Sequence, residues 1–119
     1  MEASIALAPN PTSSYAARNF VGGNLERWGR RDLAETAVLL TSEVVTNVIL
    51  HARTDLVVTA TLDGNRARVA VRDGEVTPPR RRPAPPDSAD GRGLLLVEAL
   101  ATSWGVLPYG GGKAVWFEL

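Results

Sequence analysis

The alternation of apolar and polar positions predicts five strands and three helices, in the order strand, two helices, two strands, helix, two strands. Residues 3–8 (Ala-Ser-Ile-Ala-Leu-Ala) read as a short strand ended by Pro9-Asn10-Pro11. Asn10 suits an N-cap with Pro11 at the first helical position. Ala17, Phe20, Val21, Asn24, Leu25 and Trp28 then recur at helical spacing up to a stop at Gly29. Gly22-Gly23 weakens this helix by about 1 kcal/mol per glycine relative to alanine. A second helix opens on Asp32, with Glu35 three residues later as an acidic capping box. Its apolar stripe runs through Leu33, Ala37, Leu40, Val44 and Val48, widened by Leu39, Val45, Ile49 and Ala52, so it is expected to be mostly buried. Thr54-Asp55 closes it.

Leu56, Val58, Ala60 and Leu62 share one strand parity, and Asp63-Gly64 supplies a hairpin turn. In the returning strand Arg66, Arg68 and Arg72 fall on one face, and Ala67, Val69, Val71 and Asp73 on the other. Asp73 thus ends a strand on a face that otherwise carries only apolar residues. Residues 74–90 hold five of the eight prolines and the run Arg80-Arg81-Arg82, a loop of the length used for lids. Asp90-Gly91-Arg92-Gly93 opens a third helix, Leu94 to about Thr102, with Leu94, Val97 and Leu100/Ala101 inward. Strands at about Trp104–Leu107 and Ala114–Leu119 are joined by a glycine-rich turn at 108–112. Val115, Phe117 and Leu119 oppose Ala114 and Trp116 in parity, and the pattern leaves open which set meets the helices. The three tryptophans are core or interface anchors. The element order fits an α+β two-layer sandwich, a mixed, mainly antiparallel sheet with its helices on one face.

At 119 residues the chain is expected to form a single domain spanning 1–119. With 45% hydrophobic residues it can build a core without staples. The absence of cysteine excludes a disulfide scaffold, a thiolate metal site and a cysteine nucleophile. Thirteen basic and thirteen acidic residues cancel, which argues against nucleic acid as a direct partner. No apolar run approaches the roughly 18 residues of a membrane helix, and no signal segment is evident, so a cytoplasmic location is expected.

Glu43 and Asn47 lie four apart and stack on one face of the second helix, with His51 one turn further. A solvated polar stripe on a half-exposed helix is one reading. A nucleotide site is the other: magnesium keeps several waters and takes few protein oxygens when phosphates supply the rest. One Asn47 carbonyl oxygen then suffices as metal ligand, and Glu43 can orient or deprotonate a nucleophile beside the terminal phosphate. Asp73 needs a donor, for which the amine of adenine and a backbone amide of the adjoining turn are alternatives. Gly91-Arg92-Gly93 before an apolar helix allows close approach of an anion to free helix-start amides, although a plain loop-to-helix junction has the same appearance.

In order along the chain, these pieces resemble the ATP-binding domain of the GHKL superfamily, which includes gyrase, histidine kinases and mismatch-repair ATPases. The segment from Leu40 through Glu43 and Asn47 to His51-Ala52 is similar to the N box. Val71-Arg72-Asp73-Gly74 resembles the first glycine box, and Gly91-Arg92-Gly93-Leu94 the second. With the closing Trp104-Gly105-Val106 and Gly112–Leu119, the chain most resembles small bacterial members that include anti-sigma-factor serine/threonine kinases. The resemblance implies a Bergerat-type fold holding ATP and Mg2+ under a 74–90 lid. By it Asn47 ligates magnesium, Glu43 is the base, Asp73 reads adenine with Gly74 beside it, and His51 lies in the nucleotide box. Gly91, Arg92, Gly93 and Leu94 hold phosphates. It also implies an anti-sigma-factor antagonist or sigma factor as partner, and a homodimer through the first strand and helix. His51 is the only histidine and lies in the N box, so a complete histidine kinase is not expected. Three positions differ from the usual pattern: Leu50 replaces an arginine, Glu75 a glycine and Ala114 a threonine. Each lost hydrogen bond to a charged group costs on the order of 1.5–3 kcal/mol, which leaves a catalytically weak binding module as the alternative.

Overall fold

The computed structural model describes the backbone of residues 1–75 and 89–119, and the side chains of these except 89–94. Strands β1 (Glu2–Leu7), β2 (Leu56–Asp63), β3 (Arg66–Asp73), β4 (Ser103–Tyr109) and β5 (Gly112–Glu118) form one sheet in the order β1-β2-β3-β5-β4. Every neighbouring pair is antiparallel, so the expected mixed sheet is antiparallel throughout the described strands. The reason is the position of β5. It inserts between β3 and β4, which run the same way and would otherwise form a parallel pair.

Helices α1 (Thr12–Arg27), α2 (Arg31–Asn47) and α3 (Ala89–Leu100) accompany the sheet, and α2 continues as one π-helical turn, Val48–Ala52. The alternating sets of the strands decide the inner face: Val58, Val69, Val71 and Phe117 are wholly or almost wholly buried against Val21, Leu40, Val45 and Val97 of the helices. Fully burying one such side chain stabilises by about 1.5–3 kcal/mol, which is what holds helices to sheet. Val115 and Phe117 meet the helices, and Trp116 lies on the opposite face. The helical run Arg31–Ala52 is 22 residues long and contains an 18-residue window of mean hydropathy 1.5, enough by length and composition to cross a membrane. Its Leu40, Val44, Val45 and Val48 instead face the core, which is the behaviour of a central helix in a two-layer fold.

Several local expectations are corrected. Helix α1 starts at Thr12 with Pro11 as its N-cap, while the Asn10 side chain accepts from the hydroxyls of Thr12 and Ser13 rather than from helix amides. The acidic capping box at α2 does not form. The N-cap is Arg30, whose guanidinium takes both oxygens of Asp32 at 3.0 Å and holds its carboxyl below the usual range. Leu39 and Leu100, assigned inward, are exposed. Helix α3 begins at Ala89 rather than Leu94, and β4 and β5 are joined by Gly110-Gly111 alone. Gly110 takes φ +58°, a conformation that glycine adopts without strain, and this tight turn extends β5 back to Gly112.

The outer face of the sheet carries the second set of strand residues. The Arg68 guanidinium lies 4.3 Å from the Trp116 ring centre, and that of Arg72 lies 4.6 Å from that of Tyr109. Arg68 also donates to Glu118, its cross-strand partner, at 2.7 Å. That bond, with the Arg66 charge nearby, keeps the Glu118 carboxyl below its ordinary range.

Candidate functional site

Glu43 and Asn47 sit one turn apart on α2, both half-buried, on the flank of the buried Leu40, Val44 and Val48. Among the described residues neither side chain has a hydrogen-bonding or ionic partner. Among those residues, nothing occupies their oxygens, which suits them to water or to a ligand. Immediately beyond Asn47 the helix widens into its π turn, closed by the Arg53 N–H on the Val48 carbonyl at 2.9 Å. Such turns are rare and recur at functional sites. His51 is exposed within it. Arg53 ends the turn in the left-handed region, at φ 55°.

Residues 53–55 return the chain to β2, whose first residue, Leu56, is the register partner of Asp73. The Gly74 N–H donates to Thr54 Oγ1 at 2.8 Å, which ties the end of β3 to the loop leaving the π turn. Helix α2 packs on β3. Asn47 and Asp73 are thus brought to one end of the molecule, on the helix-facing side of the sheet.

Asp73 is enclosed, its side chain having no exposed surface. Two groups of the protein donate to it, a backbone amide and an ammonium. Oδ1 accepts the Glu75 N–H at 2.9 Å, the backbone amide of the adjoining turn. Oδ2 accepts the Lys113 ammonium at 2.7 Å, and the same ammonium reaches Glu75 Oε2 at 2.9 Å. Lys113 faces Asp73 directly across the β3–β5 ladder. A buried carboxylate with an ammonium and an amide has its charge and one lone pair on each oxygen satisfied from within. The strand junction is tight here: a Cβ on Gly112 would lie 1.9 Å from the Asp73 carbonyl oxygen, so only glycine lets β5 start at this point.

Gly91, Arg92, Gly93 and Leu94 lie inside α3, not in a loop ahead of it. The amides that a helix leaves free are in its first turn, here around Ala89–Gly91. The side chains of 91–94 fall outside the described residues, as do residues 76–88 of the expected lid. Lys113, Glu75 and Thr54 were not singled out as site groups from the sequence. Lys113 shares its parity with Val115 and Phe117, so a cation on a core-facing parity was the available signal. A groove of about 580 Å3 between α1 and α2, lined by Arg18, Gly22, Gly23, Glu26, Glu35 and Val38 among others, contains none of the candidate site residues.

The family model for the histidine kinase-like ATPase domain matches residues 7–119. The chain belongs to that family. The fold of this histidine kinase-like ATPase domain is similar to a crystal structure of the RsbU and RsbW domains of Rv1364c from Mycobacterium tuberculosis. That similarity has a TM-score of 0.75 at 21% identity and covers 99% of this chain and 31% of that one. The histidine kinase domain of the blue-light activated histidine kinase EL346 from Erythrobacter litoralis matches with a TM-score of 0.51 at 27% identity, over 75% of this chain and 45% of that one. The chain thus spans less than half the length of either structure. No curated protein sequence matches it.

Membership of this family makes ATP, with magnesium, the group to test against the residues present. The α2 half fits. An amide oxygen and a carboxylate one turn apart, without partners among the described residues, are a donor set suited to a largely hydrated magnesium ion and a polarised nucleophile. The β3 half carries the carboxylate but presents it already bound.

Proposed function

We propose that this histidine kinase-like ATPase domain is an ATP-binding regulatory protein, a cytoplasmic serine/threonine kinase that acts as an anti-sigma factor and phosphorylates an anti-sigma-factor antagonist. The observation that carries this reading is the Glu43/Asn47 pair, without a partner among the described residues, at the same end of the molecule as Asp73. Family membership and the similarity of the N box and closing strands to such kinases support it. ATP supplies the transferable phosphoryl group when bound. The Asn47 amide oxygen holds magnesium, with His51 one turn further along the same helix. Glu43 takes the proton of the acceptor hydroxyl. Asp73 and Gly74 border the base, and Gly91, Arg92, Gly93 and Leu94 in the N-terminal part of α3 lie at the phosphates. A homodimer through β1 and α1 completes the proposal.

The test uses labelled ATP, magnesium and a candidate antagonist. Transfer is expected from the wild type, with a loss of roughly 10²–10⁴-fold in Glu43→Ala, the usual contribution of a general base. Equal transfer by both proteins, or none by either, rejects the kinase. A second reading, a catalytically weak module that sequesters its partner, is favoured by the internal pairing of Asp73. Calorimetric detection of ATP that Asn47→Ala abolishes argues against a nucleotide-free version of it.

A further inference from the structure

We infer that Lys113 is an internal competitor of the nucleotide base, occupying on Asp73 the acceptor that an exocyclic amine needs. The inference rests on the proposal that Asp73 borders the base, and it adds a specificity-determining residue that the family resemblance did not supply. Four observations carry it. The ammonium sits 2.7 Å from Asp73 Oδ2, and the side chains of Asp73 and Lys113 are 0% and 11% exposed. The other carboxylate oxygen is taken by the Glu75 amide. Glu75 Oε2, 2.9 Å from the same Nζ, gives the ammonium a second anchor on the β3 side. Finally, Gly112 allows β5 to close against the Asp73 backbone, which fixes Lys113 directly opposite.

A primary ammonium and an exocyclic amine make the same kind of contact with a carboxylate, an N–H donated to oxygen. The ammonium is charged and covalently tethered, so it holds that position in advance. An adenine amine gains the oxygen only when Lys113 moves aside. Glu75 and Lys113 therefore act together: the acidic side chain steadies the cation that covers the base-reading acid.

Calorimetry with the folded chain tests this with two probes, ATP and the triphosphate of purine riboside, which lacks the 6-amino group. Lys113→Met keeps length and removes the charge. It is expected to tighten ATP roughly tenfold or more, the scale of one hydrogen bond to a charged group, and to leave the purine analogue unchanged. Glu75→Gly, at a partly exposed position, loosens the ammonium and is expected to move ATP in the same direction by a smaller factor; it serves where Lys113→Met fails to fold. ATP binding that is weakened or unchanged in these variants overturns the inference while leaving the nucleotide site standing. An equal gain for both probes also overturns it, because the effect then does not pass through the amine. No binding of either probe by any folded protein overturns both this inference and the proposed ATP site.

Discussion

At the α2 end of the site, Glu43 and Asn47 have no internal partner among the described residues. At the β3 end, Asp73 is enclosed and held by an ammonium and an amide. Both ends carry the residue types of a nucleotide site, and they differ in where their hydrogen bonds go. The α2 pair depends on one helix: spacing by four puts both groups on one face and leaves them idle. The β3 group depends on two strands, so its surroundings are decided by whatever the neighbouring strand places opposite. A binding motif can thus be intact in its own segment and still be modified by a partner segment forty residues away, as Lys113 is from Asp73.

The largest expected effect falls on the paired end. Asp73→Asn leaves a nearly buried ammonium with Glu75 as its remaining acid, and a loss of about 3–5 kcal/mol in urea unfolding is expected. Asp73→Asn combined with Lys113→Met should recover much of that loss, because no charge is stranded; additive losses would refute the pairing. Gly112→Ala forces a methyl group onto the Asp73 carbonyl oxygen and should cost about 1–3 kcal/mol, read as a lower denaturation midpoint. Thr54→Val removes the acceptor of the Gly74 N–H, the bond between the two ends, and about 1 kcal/mol is expected to go with it. Smallest of all, Glu43→Gln and Asn47→Ala should change stability by no more than about 0.5 kcal/mol, since they break no internal bond among the described residues. A stability loss at Glu43 comparable with that at Asp73 would erase the contrast.

Much of this was legible in the chain. Period-two parity put Asp73 on the core face, and helical spacing put Glu43 with Asn47, because both inferences use only neighbours along one element. The Lys113 contact was hidden because cross-strand register is set by turn length. With the turn read as 108–112, β5 begins after Lys113; with Gly110-Gly111 alone as the turn, Lys113 enters the ladder opposite Asp73. The failed capping box has a similar cause. Asp32 met a guanidinium two residues away, which competes better for a carboxylate than the amides of its own helix. The π turn left no mark in the apolar pattern, because Val48, Ile49 and Ala52 suit either kind of turn.

A two-layer protein leaves one broad side of its sheet bare, and bare sheets bearing aromatic rings tend to stick to one another. The flat guanidinium groups over Trp116 and Tyr109 work against that tendency. Each shields a ring from a second ring while keeping water close by. Seen this way, Arg68 and Arg72 act as anti-adhesives, and replacing them with alanine is a route to a protein that folds normally but clumps at high concentration.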